Sequence, residues 1–359
     1  MSIRDIRSSE NPVVWSDLEN VIERFPDFNF FRAQRILISG GNGLLPSYLV
    51  RALLLANRLY QLDLKVTSII RSRQSDLARL NPWLRDRALE LVYGEVESYP
   101  LDQLPEQSIV IHAASGATPT VYQSNPVGII LPNTVGTARL CEQAKRWKSK
   151  RFLFFSTGEV YGINSSLHFS ESDYGLVDPC SLRSCYAESK RCGEATCVAY
   201  SHQYGVHSVI ARIFHTYGPQ MNLDDGRVFA DFVRDSLEGK QIKLASSGDA
   251  FRCFCYLADA TSAFLYLIAF GESAQAYNLS NPNAEISIRG LASLVAGLTE
   301  PPLEVYLGNS HAFKPGYLPS QVPRSLPSIA KLQNLGWQPV VGLEAGFRRT
   351  LCSYRNQIK

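Results

Sequence analysis

A hydroxyl, a carboxylate, a phenol and an ammonium occur within one short region of the chain. Thr157 and Glu159 lie in the segment 156–162, and Tyr186 and Lys190 follow it. A phenol has a pKa near ~10, so it needs help to act as a base at neutral pH. Lys190 shares a helix face with Tyr186, four residues away, and its charge favours the phenolate. These groups predict oxidation of a sugar hydroxyl, with Thr157 bonded to the same oxygen. Glu159 is unusual, because hydride transfer alone does not need it.

A glycine-rich loop lies between a predicted strand and a predicted helix near the start of the chain. The apolar run 35–39 leads into Gly-Gly-Asn-Gly at 40–43, and a helical stretch 44–56 follows. Glycines at such a junction let a dinucleotide pyrophosphate approach the helix N-terminus. Pro46 stands where a third glycine is usual, and proline is tolerated in a first helical turn. The predicted cofactor contacts here are Gly40, Asn42, Gly43 and Leu44.

Strands and helices alternate through the first two thirds of the chain, with helical segments such as 135–144 between the strands. This alternation predicts an α/β fold, a Rossmann-type doubly wound parallel sheet with right-handed crossovers and a smaller C-terminal substrate-binding domain. The predicted strands are the apolar runs 35–39, 64–70, 89–93, 109–114, 152–156 and 209–213.

The chain divides into three predicted parts. Residues 1–32 form an N-terminal extension, in which a short helix is predicted at 17–24 with Ser16 as its cap. Residues 33–218 form an NAD(P)-binding Rossmann domain. Turn-rich segments after Pro219 indicate that 219–359 is mainly a substrate domain, with some segments returning to the main sheet.

Residues after the second, third and fourth strands are also predicted to contact the cofactor. An acidic residue after the second strand would bond the adenosine ribose of NAD, whereas arginine suits the 2′-phosphate of NADP. Arginine occurs there twice, so either NADP binding or two solvated side chains fits. His112, at the end of the fourth strand, is predicted to be structural. The predicted cofactor contacts in this group are Arg71, Arg73, Glu95, Ala113 and Ala114.

The composition is that of an ordinary globular protein. Hydrophobic residues make up 45% and charged residues 19%, and the net charge of +3 is spread without long runs, which argues against a nucleic-acid partner. Eight cysteines without a paired C-x-x-C predict free thiols in a reducing cytoplasm and no metal site. No run approaches a membrane-spanning length, so we expect a cytoplasmic protein with no membrane partner.

The motifs together resemble the extended short-chain dehydrogenase/reductases that act on nucleotide sugars. The resemblance covers about 34–350. Within that family, three stretches (114–126, 183–191 and 214–228) are similar to the branch that decarboxylates UDP-glucuronate. The carrying motifs are the loop 40–43, His-Ala-Ala-Ser at 112–115, Asn-Thr-Val-Gly-Thr at 133–137, the segment 156–162, Tyr-x-x-x-Lys at 186–190, the run 212–219 and the late pattern 324–337.

The resemblance assigns roles to individual residues. Tyr186 is the base on the 4-hydroxyl, Lys190 tunes it and holds the nicotinamide ribose, and Thr157 assists at the 4-oxygen. Glu159 and Arg324 match the pair that acts on the carboxylated end of the sugar. Arg227 and Arg252 would hold the nucleotide diphosphate. The further contacts implied are Asn133 for the cofactor, tightly bound as NAD or NADP, and Ser115, Thr118 and His215 for the substrate.

Departures from the family pattern bear on the reaction. Gly158 stands where decarboxylases tend to have serine and 4,6-dehydratases an acid; His215 and Ser328 replace a usual asparagine and aspartate. A dehydratase must protonate a leaving hydroxyl, and glycine has no proton to give. Decarboxylation of a UDP-hexuronic acid is therefore favoured, with 4-epimerisation and 4,6-dehydration as alternatives. A non-catalytic dinucleotide-binding protein is a minor alternative, because Tyr186 and Lys190 are both present.

The resemblance also implies a homodimer. The helices at about 121–147 and 186–203 are its predicted interface.

Overall fold

The computed structural model describes residues 2–117, 119–164, 168–308 and 324–355. In this part of the chain the strands, in chain order, are β1 (Arg35–Ser39), β2 (Lys65–Ile70), β3 (Leu89–Tyr93), β4 (Ile109–His112), β5 (Arg151–Thr157), β6 (Ser208–Ile213), β7 (His215–Tyr217), β8 (Ile242–Leu244), β9 (Phe251–Tyr256), β10 (Gln275–Leu279), β11 (Glu285–Ser287), β12 (Val305–Leu307) and β13 (Arg324–Ser325).

The helices of the same described residues flank and follow these strands. They are α1 (Ile3–Ser9), α2 (Pro12–Glu23), α3 (Leu44–Tyr60), α4 (Pro119–Ser124), α5 (Val127–Leu131), α6 (Thr137–Arg146), α7 (Cys185–Tyr204), α8 (Val228–Leu237), α9 (Leu257–Phe270), α10 (Ile288–Ala296), α11 (Ala330–Gln333) and α12 (Leu343–Arg355). A π-helical turn, Pro132–Gly136, joins α5 to α6.

Seven parallel strands form the main sheet in the order β10-β6-β5-β4-β1-β2-β3. The strands read as continuous apolar runs because helices cover both faces; β4, for example, is buried at every position. This confirms the predicted Rossmann-type fold. The six predicted strands are present, with bounds that differ by up to two residues, and β10 is an additional strand that pairs with β6.

Small sheets lie beyond the carboxyl ends of the main strands. β9 pairs with β7, β11 and β13, and β8 pairs with β12. The parallel register of the main sheet brings the ends of β1, β4, β5 and β6 to one edge. In open α/β sheets ligands bind at this edge, so the small sheets form the opposite wall of a cleft.

The helix predicted at 17–24 has different bounds in the structure. It is α2, which begins at Pro12, and its N-cap is Asn11, whose side chain accepts hydrogen bonds from Val13 and Val14. Asparagine caps helices strongly and proline suits the first turn, so Ser16 lies inside the helix instead. The buried carboxylate of Asp17 accepts hydrogen bonds from Tyr48, Tyr256 and Arg349, which fixes α2 against α3, β9 and α12.

Candidate active site

A cavity of about 1630 Å³ lies between the main sheet and the small sheets. At one end is the glycine-rich loop. Gly40 has φ +71°, and a Cβ on it would lie 2.9 Å from Ala114 Cα, so glycine is required there. Gly43 caps α3 without a side-chain hydrogen bond. The backbone of the first turn of α3 thus faces an open space, and these residues fit a dinucleotide pyrophosphate.

Pro46 lies in the first turn of α3, and the helix begins normally at Leu44. The loop is held from outside by neighbouring segments. Asn42 Nδ2 donates to the Asp76 carbonyl at 3.0 Å, and Arg79 donates to the Asn42 carbonyl at 3.2 Å. Arg79 also lines the cavity, and sequence reasoning did not select it.

Most of the other predicted cofactor contacts line the cavity, namely Arg71, Glu95, Ala113 and Ala114. Arg73 and Asn133 do not line it. Arg73 instead stacks over the Tyr93 ring, with its Cζ 4.9 Å from the ring centroid. The Asn133 amide donates to the Ile129 carbonyl and to Ser189 Oγ, which ties the π-helical turn to α7. The structure therefore brings only Arg71 of the arginine pair to the cofactor end, and it places Asn133 among structural contacts.

His112 is a structural residue, as predicted. Its Nδ1 lies 2.8 Å from Ser39 Oγ and its Nε2 lies 3.0 Å from the Pro132 carbonyl. Burial lowers the pKa of His112 to about 3, and the nearby Lys190 charge acts in the same direction. The neutral ring links β1, β4 and the π-helical turn beneath the cofactor end.

Thr157, Tyr186 and Lys190 form what we call the redox cluster. Thr157 ends β5 and Tyr186 lies in the first turn of α7, and the nearby Thr157 hydroxyl acts to lower the pKa of the Tyr186 phenol. The Tyr186 ring stacks on Tyr122, with centroids 5.3 Å apart and planes 17° apart. Two rigid elements and a ring stack thus fix the phenol where a substrate hydroxyl can meet it.

The charges around Tyr186 differ from the prediction that Lys190 favours its phenolate form. Burial raises the pKa of Tyr186, and the Glu159 charge raises it further, whereas the Thr157 hydrogen bond and two arginine charges lower it. Lys190 Nζ donates to the Phe155 carbonyl at 2.6 Å and lies 5.9 Å from the centroid of the Tyr186 ring. Burial lowers the pKa of Lys190 to about 7. Lys190 therefore contacts the backbone of β5 rather than lying over the phenol.

Glu159 does not pair with Arg324. Its carboxylate accepts a hydrogen bond from Arg183 at 2.6 Å, a residue that lies three positions before Tyr186. Arg324 binds both carboxylate oxygens of Glu285, at 2.7 and 3.1 Å. Glu159, Arg183 and Arg324 line the cavity, and Glu285 binds Arg324 from outside the lining. The two residues that the resemblance placed together, Glu159 and Arg324, therefore belong to separate glutamate–arginine pairs.

Gly158 faces the ring of Phe214. A Cβ at position 158 would lie 2.5 Å from Phe214 Cε1 and within 2.9 Å of two further ring atoms. Phe214 is itself buried against Val160, Tyr161 and Phe169, so it cannot move without disturbing that cluster. The position next to Thr157 therefore has no side chain and no free space for one.

The far end of the cavity contains the cations predicted for the diphosphate. Arg227 forms an ion pair with Asp225, and Arg252 donates to the Phe251 carbonyl at 2.7 Å. His215 lies beside them on β7; burial and these two charges lower its pKa to about 3. A half-buried neutral histidine beside two arginines leaves this part of the cavity able to bind an anion.

Ser115 lines the cavity, and its buried hydroxyl has no hydrogen-bond partner among the described residues. Thr118, also predicted to contact substrate, lies outside the described residues.

Several cavity residues were not predicted as site residues, among them Arg183, Tyr122 and Phe214 near the redox cluster and Arg79 at the glycine-rich loop. Arg183 lies within the stretch 183–191 that carried the resemblance, three residues before Tyr186, so its position was visible in the sequence. The packing of Phe214 on Gly158 and of Tyr122 on Tyr186 depends on contacts between distant segments. No sequence pattern specifies those contacts.

Among the described residues, no group of three or more histidine, cysteine, aspartate or glutamate side chains is arranged to hold a metal ion. None of the helices described above combines the length and apolar character that a membrane span requires.

Comparisons with known proteins agree with this geometry. A model of the NAD dependent epimerase/dehydratase family matches residues 36–280. UDP-glucuronic acid decarboxylase 3 of Arabidopsis thaliana is 35% identical over 313 residues, which are 87% of this chain and 86% of that protein.

Two solved structures share the fold. The UDP-glucuronic acid 4-epimerase of Bacillus cereus, in complex with UDP-glucuronic acid and NAD, has a TM-score of 0.76 at 22% identity, covering 90% of this chain and 100% of that one. The dTDP-glucose 4,6-dehydratase of Streptomyces venezuelae, with NAD bound, has a TM-score of 0.75 at 24% identity, covering 90% and 97%.

Proposed function

The chain belongs to the NAD-dependent epimerase/dehydratase family, and from that premise we propose that it decarboxylates a UDP-hexuronic acid such as UDP-glucuronate. At a coarser level, the protein is an NAD-dependent enzyme of the extended short-chain dehydrogenase type that modifies nucleotide sugars. The proposal concerns which reaction follows oxidation at carbon 4 of the sugar.

The redox cluster begins the proposed reaction. When bound, NAD or NADP would supply the hydride acceptor for carbon 4 and could return the hydride. Tyr186, as phenolate, removes the proton of the 4-hydroxyl, and Thr157 orients the same oxygen. Lys190 would hold the ribose of the cofactor, and the glycine-rich loop and the first turn of α3 would hold its pyrophosphate.

Loss of carbon dioxide follows from the ketone. A 4-keto hexuronate is a β-keto acid, so the bond between carbons 5 and 6 breaks and carbon dioxide leaves. The electron pair remains as an enolate across carbons 4 and 5. A proton added at carbon 5 then restores the ketone, and Glu159 is suited to order the water that supplies it.

The observation that carries the proposal is the contact between Gly158 and Phe214. A dehydratase must protonate a leaving hydroxyl beside the catalytic threonine, and here a ring fills that space. Decarboxylation needs no acid at this position. The similarity to a UDP-glucuronic acid decarboxylase over most of the chain supports the same choice. The second candidate is 4-epimerisation, which needs only the redox cluster and room for the keto sugar to rotate.

The proposed domains are a cofactor-binding domain, 33–218, and a mainly substrate-binding domain, 219–359. Arg227, Arg252, His215 and Ser115 would contact the nucleotide sugar. Of the two arginines predicted after β2, Arg71 lines the cavity, so a comparison of NAD with NADP in binding tests whether it accepts a 2′-phosphate.

A homodimer is proposed with the surface of α5, the π-helical turn and α7 as its interface. Apolar side chains exposed on this surface support it: Val127, Ile130, Leu131, Val135 and Val198. Light scattering of wild type and an Ile130→Asp variant tests it, because a charge at a buried interface should give monomers. A cytoplasmic location is proposed as well, and the eight free cysteines support a reducing compartment.

Mass spectrometry of one set of reactions tests the proposed reaction. The purified protein is mixed with UDP-glucuronate and with NAD or NADP, and separately with UDP-glucose. Loss of carbon dioxide from UDP-glucuronate is the expected result. An unchanged mass with an inverted carbon 4 would indicate epimerisation instead, and loss of water from the hexose would indicate dehydration.

A further inference from the structure

A buried carboxylate joins the N-terminal extension to the rest of the protein. Glu10 lies between α1 and α2, and only 5% of it is exposed. One of its carboxylate oxygens lies 3.5 Å from Arg51 Nη1, in an ion pair that is closed to solvent. The other oxygen accepts a hydrogen bond from Trp83 Nε1 at 3.0 Å. A charge buried this deeply requires partners in fixed positions, so Glu10 orders both Arg51 and Trp83.

Arg51 extends this contact toward the cavity. It lies in α3, fully buried, and its Nη1 also donates to Gln220 Oε1 at 3.0 Å. Gln220 follows β7 and has a left-handed backbone, with φ +61°. A residue other than glycine keeps this conformation only where its surroundings hold it. The carbonyl of Gln220 accepts a hydrogen bond from Arg79 Nε at 3.0 Å, so the bond from Arg51 fixes the backbone that holds Arg79.

A second route from Glu10 reaches the same arginine. Trp83 and Arg79 belong to one short 3₁₀ helix, Ala78–Trp83, and the Trp83 side chain is fully buried. The hydrogen bond from Trp83 to Glu10 therefore fixes the position of that short helix. Both routes end at Arg79, whose Nη1 donates to the carbonyl of Asn42 in the glycine-rich loop at 3.2 Å.

The geometry of Arg79 allows it to transmit a displacement to the loop. A guanidinium is planar and holds its N–H donors in a rigid fork, so bonds from two of its nitrogens fix both its place and its orientation. A shift of the Gln220 carbonyl would therefore shift the Asn42 carbonyl as well. A pyrophosphate at a helix N-terminus depends on the exact position of such a loop, because hydrogen bonds weaken steeply when their geometry is lost.

We propose that Glu10 is a positioning residue for the cofactor: by fixing Arg51 and Trp83 it holds Arg79 against the glycine-rich loop, and the N-terminal extension thereby raises the affinity for NAD or NADP. The inference rests on the proposed place of the cofactor at that loop. It is independent of the reaction that follows oxidation at carbon 4, and it gives a role to an extension that none of the sequence motifs covers.

Cofactor binding and UDP binding by the full chain, freed of cofactor, test the proposal. The reduced cofactor, NADH or NADPH, whichever binds wild type more tightly, is titrated by its fluorescence, and UDP is titrated by calorimetry. Glu10→Gln keeps the shape of the side chain and removes the charge that pairs with Arg51. Gln220→Asn keeps an amide and tolerates the left-handed backbone, but its shorter side chain cannot reach Arg51.

The matched control removes another ion pair of the extension. Arg24, the C-cap of α2, pairs with Asp259 of α9, away from the network of Glu10. Arg24→Gln should therefore change the affinity for the reduced cofactor by less than about twofold, as expected for an independent site.

Glu10→Gln and Gln220→Asn should each weaken binding of the reduced cofactor by at least about fivefold, the lower end of couplings between sites. UDP binding should change by less than about twofold in both, because the residues proposed to bind the diphosphate lie at the far end of the cavity. The double variant should bind the cofactor about as Glu10→Gln does, since the two substitutions interrupt the same route.

The contrast between the two ligands decides the outcome. Cofactor affinity that is kept by either folded variant would overturn the role of Glu10. An equal loss of affinity for cofactor and UDP would also overturn it, as would the same cofactor loss in Arg24→Gln. A Glu10→Gln variant that binds neither ligand is not folded, and Gln220→Asn then decides alone. Release of carbon dioxide from UDP-glucuronate by wild type leaves the proposed function standing in each case.

Discussion

The redox cluster and three residues of the glutamate–arginine pairs, Glu159, Arg183 and Arg324, line the same cavity but are held differently. Tyr186 and Lys190 are only 6% and 2% exposed, and rigid elements hold them. The side chains of Glu159 and Arg183 are 35% and 24% exposed, and Arg324 is 37% exposed. The difference indicates that the redox cluster is preorganised, whereas the glutamate–arginine pairs are partly solvated and can exchange partners on binding.

Removal of the phenol should have the largest effect, because it removes the base of the preorganised site. A Tyr186→Phe variant is expected to lose about 10²- to 10⁴-fold in kcat with UDP-glucuronate. The dissociation constant of UDP-glucuronate should change little, since the ring and its stack on Tyr122 remain. Steady-state kinetics and calorimetry measure the two quantities. Full turnover by this variant would refute the assignment of Tyr186.

The two glutamates distinguish the ion pairs from each other. Glu159→Gln should lower the rate of carbon dioxide release by roughly tenfold to a hundredfold, because Glu159 orders the proton donor and sets the charge around Tyr186. The matched Glu285→Gln variant removes a partly exposed pair and should change that rate by less than about fivefold. Equal losses in both variants would show that the two pairs act as one site.

Gly158 tests whether Phe214 closes the position beside Thr157. Gly158→Ser should destabilise the protein by about 1–3 kcal/mol, because the new Cβ meets the Phe214 ring. Gly342→Ala is the control: a Cβ there meets nothing within 4 Å, so its free energy of unfolding should change by less than about 0.5 kcal/mol. Chemical denaturation measures both. A stable Gly158→Ser variant would mean that Phe214 moves freely and that an acid could be accommodated.

His112, which is buried, and His215, which is half-buried, predict a smaller effect on the pH dependence of the free energy of unfolding. His112 and His215 have folded pKa values of about 3 against an ordinary 6.5, so the unfolded chain binds more protons between those values. Each histidine therefore makes its full contribution to the free energy of unfolding above pH 6.5. That contribution falls by roughly 1.4 kcal/mol per pH unit as the pH drops from 6.5 toward 3. His215→Asn should reduce the slope by about that amount between pH 6 and 5. An unchanged slope would mean that His215 is protonated in the folded protein.

The redox cluster and the glutamate–arginine pairs also differ in how well the sequence predicted them. The main sheet, the glycine-rich loop and the redox cluster were predictable because each depends on local patterns: apolar runs, a strand–loop–helix junction, and a tyrosine and lysine four residues apart. The α2 cap was mislocated because Asn11 competes with Ser16 as a cap, and both are good ones.

The ion pairs were not predictable in the same way. Glu159 and Arg183 are 24 residues apart, and Glu285 and Arg324 are 39 apart, with each pair formed by the meeting of separate elements. The sequence contained all four residues, but any glutamate could have paired with either arginine. Partner choice is decided by the register of β9, β11 and β13 and by the entry of the chain into α7.

The central claim is that oxidation at the redox cluster leads to loss of carbon 6 from a hexuronate. NMR spectroscopy of UDP-glucuronate labelled with ¹³C at carbon 6, incubated with wild-type protein and NAD or NADP, follows that atom directly. The account predicts that the label appears as carbon dioxide and bicarbonate at the rate at which a UDP-pentose forms. A label that stays on the sugar while carbon 4 inverts would contradict it.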